Sequence, residues 1–297
     1  MSSITAVDEK TGRKFYLDDP DDLQPGEDVV FILSLHGGGS VGAWQRLYFP
    51  AFDYKEKYRL VIATPSAATK EPARRWVAEA DDEHLRNVVD FVFQRYGREH
   101  IRSFWLAGHS QGGMTSNRLL STDGFFRDRV DGWLSLSGGR IGPIQLPASF
   151  FVRRTPPPAP PAGENAPRPG VATMPDCDFS FIFTAGEHEM VALPESSPWA
   201  EKYGAGARIQ LPDVVDDQPG QVHDGSREGN STPAWGLLPR PGATKVYLYP
   251  GARDGRLIAD AVRIDKGHTE GLEPHVTEEL VKMIVTSPGG KARAAGG

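Results

Sequence analysis

The stretch Gly108-His109-Ser110-Gln111-Gly112 constrains this chain most. It stands between an apolar run, Ser103-Phe104-Trp105-Leu106-Ala107, and a segment of helical character over residues 114–120. The pattern G-x-S-x-G at a strand-to-helix junction demands a sharp, strained turn, and glycines flanking the serine remove the Cβ atoms that would clash there. A serine hydroxyl is a weak nucleophile in water, so a chain that uses one must present it on such a turn and supply a base beside it. A helix that starts there points its N-terminus at the group under attack. The pentapeptide also fits an ordinary glycine-rich βα turn; the flanking elements favour Ser110 as a nucleophile.

The rest of the chain repeats the alternation of strand and helix. Val29-Val30-Phe31-Ile32-Leu33-Ser34-Leu35 is a continuous apolar run of strand length, of the kind that a parallel sheet buries on both faces. Residues 58–63, 133–137, 179–185 and 245–249 read as further short strands. Over residues 82–96, Leu85, Val88, Val89, Val92, Phe93 and Tyr96 recur at spacings of three and four, which predicts an amphipathic helix. Asp81 can cap its start and Gly97 its end. A closing helix is expected over residues 276–285. This order implies an α/β fold with an open, mostly parallel sheet covered by helices on both faces, as one domain over residues 1–297. Two stretches break the rhythm, a Pro-rich one at 154–170 and one rich in Gly, Pro, Asp and Ser at 212–244. Both read as loops inserted over the rim where α/β proteins bind ligands, although plain solvated connections would have the same composition.

Charge and cysteine usage exclude several classes. Lys and Arg number 33 against 39 Asp and Glu, a formal charge of −6 with no basic block, so nucleic acid is not an expected partner. The one cysteine, Cys177, builds neither a disulfide framework nor a zinc site and reads as a small buried apolar residue. The first residues lack the basic and apolar regions of a secretory signal, and no run approaches the roughly 18 apolar residues that span a bilayer. The expectation is a soluble, cytoplasmic protein without membrane association; oligomeric state stays open.

A nucleophilic serine on this architecture is followed by an acid and then a histidine. Four histidines follow Ser110, namely His188, His223, His268 and His275. His268 lies in Asp265-Lys266-Gly267-His268-Thr269, just ahead of the closing helix, where a rim loop can swing an imidazole onto the serine. His275 flanks a helix and His223 sits in the polar loop, so both read as surface residues. For the acid, Gly186-Glu187-His188-Glu189 offers two carboxylates after the 179–185 strand. Glu189 is favoured because a residue three positions past Gly186 can turn back toward the histidine; Glu187 remains the alternative. Asp213, Asp216 and Asp217 read as a surface loop. The loop His36-Gly37-Gly38-Gly39 matches an oxyanion loop. The expected donors are the backbone N–H groups of Gln111, Gly38 and Gly39, each worth about 10²–10³ in turnover. A phosphate cradle is the competing use, but no Lys-Ser/Thr pair follows. Trp44 and Trp199 can wall an acyl or aryl pocket, although core or rim packing is the favoured reading of each taken alone.

In combination these pieces resemble the α/β-hydrolase fold, and within it the group of esterases that includes polyhydroxybutyrate depolymerases and feruloyl-esterase-like enzymes. The matching residues are Leu35-His36-Gly37-Gly38-Gly39, Trp76 followed by Asp81-Asp82, Gly108-His109-Ser110-Gln111-Gly112-Gly113, Gly186 with Glu189, and Gly267-His268-Thr269. The resemblance implies a carboxylic ester hydrolase working through an acyl-enzyme, with Ser110 as nucleophile, Glu189 as acid, His268 as base, and Gly38 and Gln111 as oxyanion donors. It implies a small-molecule ester as partner and no metal or organic cofactor. The chain departs from the group in carrying Glu where Asp is usual, in lacking the cysteines of secreted relatives, and in placing Glu270 where a tryptophan often follows the histidine. Those departures count against a polymer substrate. Thioester or amide hydrolysis on the same scaffold is the alternative. A non-catalytic ligand-binding module would have no reason to keep all three residues.

Overall fold

The chain opens with an antiparallel hairpin, β1 (Ser3–Asp8) and β2 (Arg13–Asp18). The first long apolar run follows as β3 (Val29–Leu35), every residue of which is buried. Then come α1 (Gly42–Tyr48), α2 (Lys55–Tyr58), β4 (Leu60–Pro65), α3 (Ala78–Tyr96) and β5 (Ile101–His109). After β5 the chain forms α4 (Gln111–Thr122), α5 (Gly124–Arg127), β6 (Gly132–Leu136) and β7 (Ser180–Gly186). It ends with α6 (Pro198–Lys202), β8 (Ile209–Gln210), β9 (Val214–Val215), β10 (Ala243–Leu248), β11 (Ile258–Arg263), α7 (Pro274–Thr286) and α8 (Lys291–Ala294). This is a computed structural model, and it describes residues 3–71, 73–140, 172–189, 196–222, 233–236 and 239–295. The Pro-rich stretch at 154–170 and His223 lie outside the described residues.

All eleven strands join one sheet in the order β1-β2-β4-β3-β5-β6-β7-β11-β10-β8, with β9 also on β10. From β4 to β11 the neighbours are parallel, and the antiparallel strands stand at the two ends. Side chains alternate between the faces, as strand geometry requires. On β3, Val29, Phe31, Leu33 and Leu35 join α3, α4 and α6 in one apolar cluster. Val30 and Ile32 face the other way and pack with α1 and α7. The sheet is thus an apolar layer between two helical layers, which is why its inner strands are apolar throughout rather than alternating. No helix among the described residues is long and apolar enough to cross a membrane.

The strand order reverses at β3. The chain runs from β3 outward to β4, then returns to place β5 on the opposite side of β3. Loops leaving neighbouring strands at such a reversal diverge, and the crevice between them is where open α/β sheets bind ligands. Leu35 pairs with Gly108 in register, so the His36–Gly39 loop and the serine turn leave the sheet side by side.

Several elements differ from the sequence expectations. The long helix starts at Ala78, not at 82, and Asp81 lies inside its first turn. The Asp81 carboxylate still caps the helix from within, accepting from the Val77 N–H at 2.8 Å while pairing with Arg13 at 2.8 Å. β11 is not marked by an apolar run because it carries Asp260 and Arg263, both buried. Asp260 is paired with Arg140 at 3.1 Å and Arg263 with Glu273 at 3.0 Å. The 212–244 stretch holds β9 and the start of β10 rather than being loop throughout. Asp216, read as a surface residue, is buried, and its carboxylate accepts from the N–H groups of His275 (2.6 Å) and Val276 (3.1 Å), capping α7 from a distant segment. Burial pushes its carboxyl pKa above the ordinary value.

Candidate active site

Ser110 is held between β5 and α4 with φ 51° and ψ −113°, a backbone conformation that a residue with a side chain rarely adopts. Its N–H donates to the Leu136 carbonyl on β6 at 2.7 Å. The turn closes so tightly that a Cβ at Gly108 would lie 2.3 Å from the Gly112 carbonyl carbon, and one at Gly112 would lie 2.2 Å from the Leu35 oxygen. The flanking glycines of the pattern are therefore required by contact with backbone that cannot move aside.

His268 and Glu189 come together from two different loops. Glu189 stands in a single helical turn (Glu187–Glu189) after β7, and His268 follows β11, the parallel neighbour of β7. His268 Nδ1 hydrogen-bonds Glu189 Oε2. The other oxygen, Oε1, accepts from the Ser137 hydroxyl and from the Gly186 N–H, each at 2.8 Å. Both residues of the pair are buried. A carboxylate with its acceptor positions filled cannot rotate freely, so it fixes which imidazole nitrogen faces it. Glu187, the alternative acid, points elsewhere and accepts from the Asp265 N–H at 3.0 Å. It braces the His268 loop rather than His268 itself. His188 does the same from the next position, its N–H donating to the Lys266 carbonyl at 3.0 Å and its Nε2 meeting Asp265 at 2.6 Å.

The His268 loop rests on buried charge. Arg263 donates to the carbonyls of Glu270 and Gly271, each at 2.7 Å, and Lys266 pairs with Glu273 at 2.7 Å. Glu270 accepts from the Gly267 N–H at 2.5 Å and pairs with Arg240 at 2.7 Å. It positions Gly267, the residue that precedes His268.

The His36–Gly39 loop is locked by its own histidine. His36 Nε2 accepts from the Ala67 N–H at 3.0 Å, which leaves Nδ1 to donate to the Gly37 carbonyl at 2.7 Å. Burial pushes the His36 pKa down to about 4, so the ring stays neutral at neutral pH. Trp76 Nε1 donates to the His36 carbonyl at 2.8 Å, and its backbone N–H donates to Gln111 Oε1 at 3.2 Å. These bonds tie the His36–Gly39 loop to the helix that follows the serine. Gln111 is the first residue of α4, a position whose N–H has no partner within the helix. Gly39 differs from expectation, since its N–H donates to the Arg74 carbonyl at 2.7 Å. That donor is engaged on the 66–77 loop.

Of the two tryptophans expected at a pocket wall, Trp44 lies on α1 just past the glycine loop and is 36% exposed. Trp199 does not stand there. It is fully buried on α6, stacked on Phe181 at 3.9 Å and edge-on to Trp133 at 5.8 Å, near the start of β7 rather than its end. Core packing won at that position because the indole is enclosed by side chains of the sheet, Phe181 on β7 and Trp133 on β6. Three groups were not singled out by the sequence reading. Trp235 packs edge-on to the His268 ring at 5.4 Å, and the carbonyls of Ala234 and Trp235 accept from the N–H groups of His268 and Thr269 at 3.0 and 2.9 Å. The Tyr48 ring packs against that of His109, centroids 4.0 Å apart and tilted by 31°. His109 itself reaches His268, as its Nε2 is 2.8 Å from the His268 carbonyl oxygen. Only the adjacency of His109 to Ser110 could have marked it.

No family model matches the sequence, and no curated protein matches it. Solved structures do resemble the fold. An acetyl xylan esterase from Aspergillus awamori superposes with a TM-score of 0.52 at 11% identity, covering 96% of this chain and 99% of that one. The Thermus thermophilus protein TT1662 gives a TM-score of 0.47 at 16% identity over 97% of this chain and 100% of its own. A fluorophosphonate-binding serine hydrolase of Staphylococcus aureus gives 0.40 at 16% identity over 62% and 78%. The chain shares with the acetyl xylan esterase an α/β-hydrolase fold, a large and mostly parallel sheet with helices on both faces.

Proposed function

We propose that this protein is a serine-dependent carboxylic ester hydrolase acting on a small-molecule ester. One observation carries the reading: a buried Glu189–His268 pair, in the chain order that follows a nucleophile, on the rim to which the strained Ser110 turn also belongs. His268 Nε2 takes the proton of the Ser110 hydroxyl as the oxygen attacks the ester carbonyl carbon. The negative charge that develops on the carbonyl oxygen is held by the N–H groups of Gln111 and Gly38. The imidazolium, stabilised by Glu189, then gives the proton to the departing alkoxide, and the alcohol leaves. Water attacks the acyl-Ser110 ester with His268 again as base. The acid is released and the serine regains its proton, so the sum is ester plus water to acid plus alcohol. Glu189 fixes the tautomer and does not itself take the proton.

Trp44 serves in this reading as one wall of the acyl or alcohol pocket, since α1 begins two residues after Ser40. The test is covalent labelling with a fluorophosphonate, followed by peptide mass mapping, beside a p-nitrophenyl ester series from acetate to octanoate. An adduct on Ser110 and ester turnover are expected. An unlabelled Ser110 overturns the reading.

A further inference from the structure

The residue immediately before the nucleophile is bonded to the main chain of the base. His109 ends β5, and its Nε2 lies 2.8 Å from the His268 carbonyl oxygen. A carbonyl only accepts, so this contact requires the hydrogen to sit on Nε2 of His109. The same oxygen accepts a second bond, from the Tyr48 hydroxyl at 3.3 Å. The two lone pairs of that one carbonyl are thus engaged by side chains from β5 and α1. The two donors also brace each other, their rings being 4.0 Å apart and inclined by 31°, and both are buried. Tyr48 in turn holds the far end of the base loop, its carbonyl accepting from the Leu272 N–H at 2.8 Å.

These contacts have a mechanical meaning. Glu189 fixes the His268 ring at Nδ1, but a ring held only there can still swing with its backbone. The Ala234 carbonyl already holds the His268 N–H, and the bond from His109 adds the restraint that refers the position of the base to the residue covalently attached to Ser110. The distance across which the proton must pass is therefore set through one peptide link and one buried hydrogen bond.

We propose that His109 is a positioning residue for proton transfer, holding His268 at a set distance from Ser110 through the His268 carbonyl, with Tyr48 as its support. This rests on the esterase reading above. It concerns rate and not binding, because neither side chain is asked to touch the substrate.

The test compares three variants of the full chain. His109→Phe keeps a ring against Tyr48 and removes the donor; His109→Gln keeps an N–H near the place of Nε2; Tyr48→Phe removes only the second donor. A misplacement of about 1 Å in a reacting pair can cost about 10²-fold. On that scale H109F is expected to lower kcat on p-nitrophenyl acetate by about 10- to 100-fold, with KM within about twofold of wild type. The rate of fluorophosphonate labelling at Ser110 should fall in parallel. H109Q should recover the labelling rate to within about threefold of wild type, and Y48F should lose about threefold. A general loss of structure would move KM and the unfolding midpoint, and Gln would not rescue it. If H109F labels as fast as wild type, the proposal fails while the esterase reading stands. If wild-type Ser110 does not label at all, both fail. Should H109F not fold, the other two decide: a slow H109Q together with an unimpaired Y48F overturns the proposal.

Discussion

The Ser137 hydroxyl donates to Glu189 Oε1 at 2.8 Å while the opposite oxygen of that carboxylate holds His268. Ser137 itself follows β6 with φ 59°. The strand next to the serine strand thus supplies the group that aims the acid, and the carboxylate has one orientation available to it.

This separates the two glutamates. Glu189→Gln leaves one end of the amide mismatched in either orientation: with its oxygen on the Ser137 and Gly186 donors its NH₂ faces the His268 Nδ1 donor, and turned over its NH₂ faces the Gly186 N–H. A loss of about 10²–10⁴ in kcat is expected. Glu187→Gln still offers an oxygen to the Asp265 N–H and should stay within about threefold. Steady-state kinetics on one activated ester compares them directly, and an equal loss in both would remove Glu189 as the acid.

Ser110 stores backbone strain. Ser110→Ala keeps a Cβ at φ 51°, so it should abolish turnover and leave the urea midpoint nearly unchanged. Ser110→Gly removes the Cβ and should be inactive but more stable by about 1 kcal/mol, the low end of what such a conformation costs. Equilibrium unfolding of the three proteins reads this, and a Gly variant no more stable than the Ala variant would show that the turn is relaxed.

Gly112→Ala should fail as a fold rather than as a catalyst. The added methyl would stand 2.2 Å from the Leu35 carbonyl oxygen, in the body of the sheet. The cost is expected to be at least about 3 kcal/mol, because the clash is with backbone of an inner strand. Soluble yield and thermal midpoint measure it.

His36 gives the fold an acid-side limit. Its pKa is pushed down to about 4 in the folded protein from an ordinary 6.5. Between those values the unfolded chain binds a proton that the folded one does not. Stability therefore falls as pH drops through 6.5 and levels off below about 4, by roughly 3 kcal/mol for this one group. His84, whose pKa burial also lowers, adds in the same direction. Urea midpoints at pH 7 and 4.5 should differ strongly in the wild type and less in His36→Asn, which keeps a donor toward Gly37 but cannot titrate. An unchanged pH slope in that variant would exonerate His36.

The sequence by itself determined the inner strands from β3 to β7 and the place of the serine turn. Val29–Leu35 is apolar almost throughout and reads as a buried strand, and the glycines around Ser110 permit the tight strand-to-helix turn found at that junction. Local chemistry dictates such features, so local reading finds them. Only the tertiary structure decided which carboxylate faces His268, because Glu187 and Glu189 are two residues apart on the same turn and differ by direction alone. It also decided that Trp199 belongs to the core and that Gly39 bonds Arg74. β11 escaped notice because its buried charges are neutralised by Arg140 and Glu273, partners far along the chain or beyond the strand. The contact of His109 with His268 spans 159 residues. It exists because β5 and β11 both end at one rim of the sheet, and no pattern along the chain encodes that meeting.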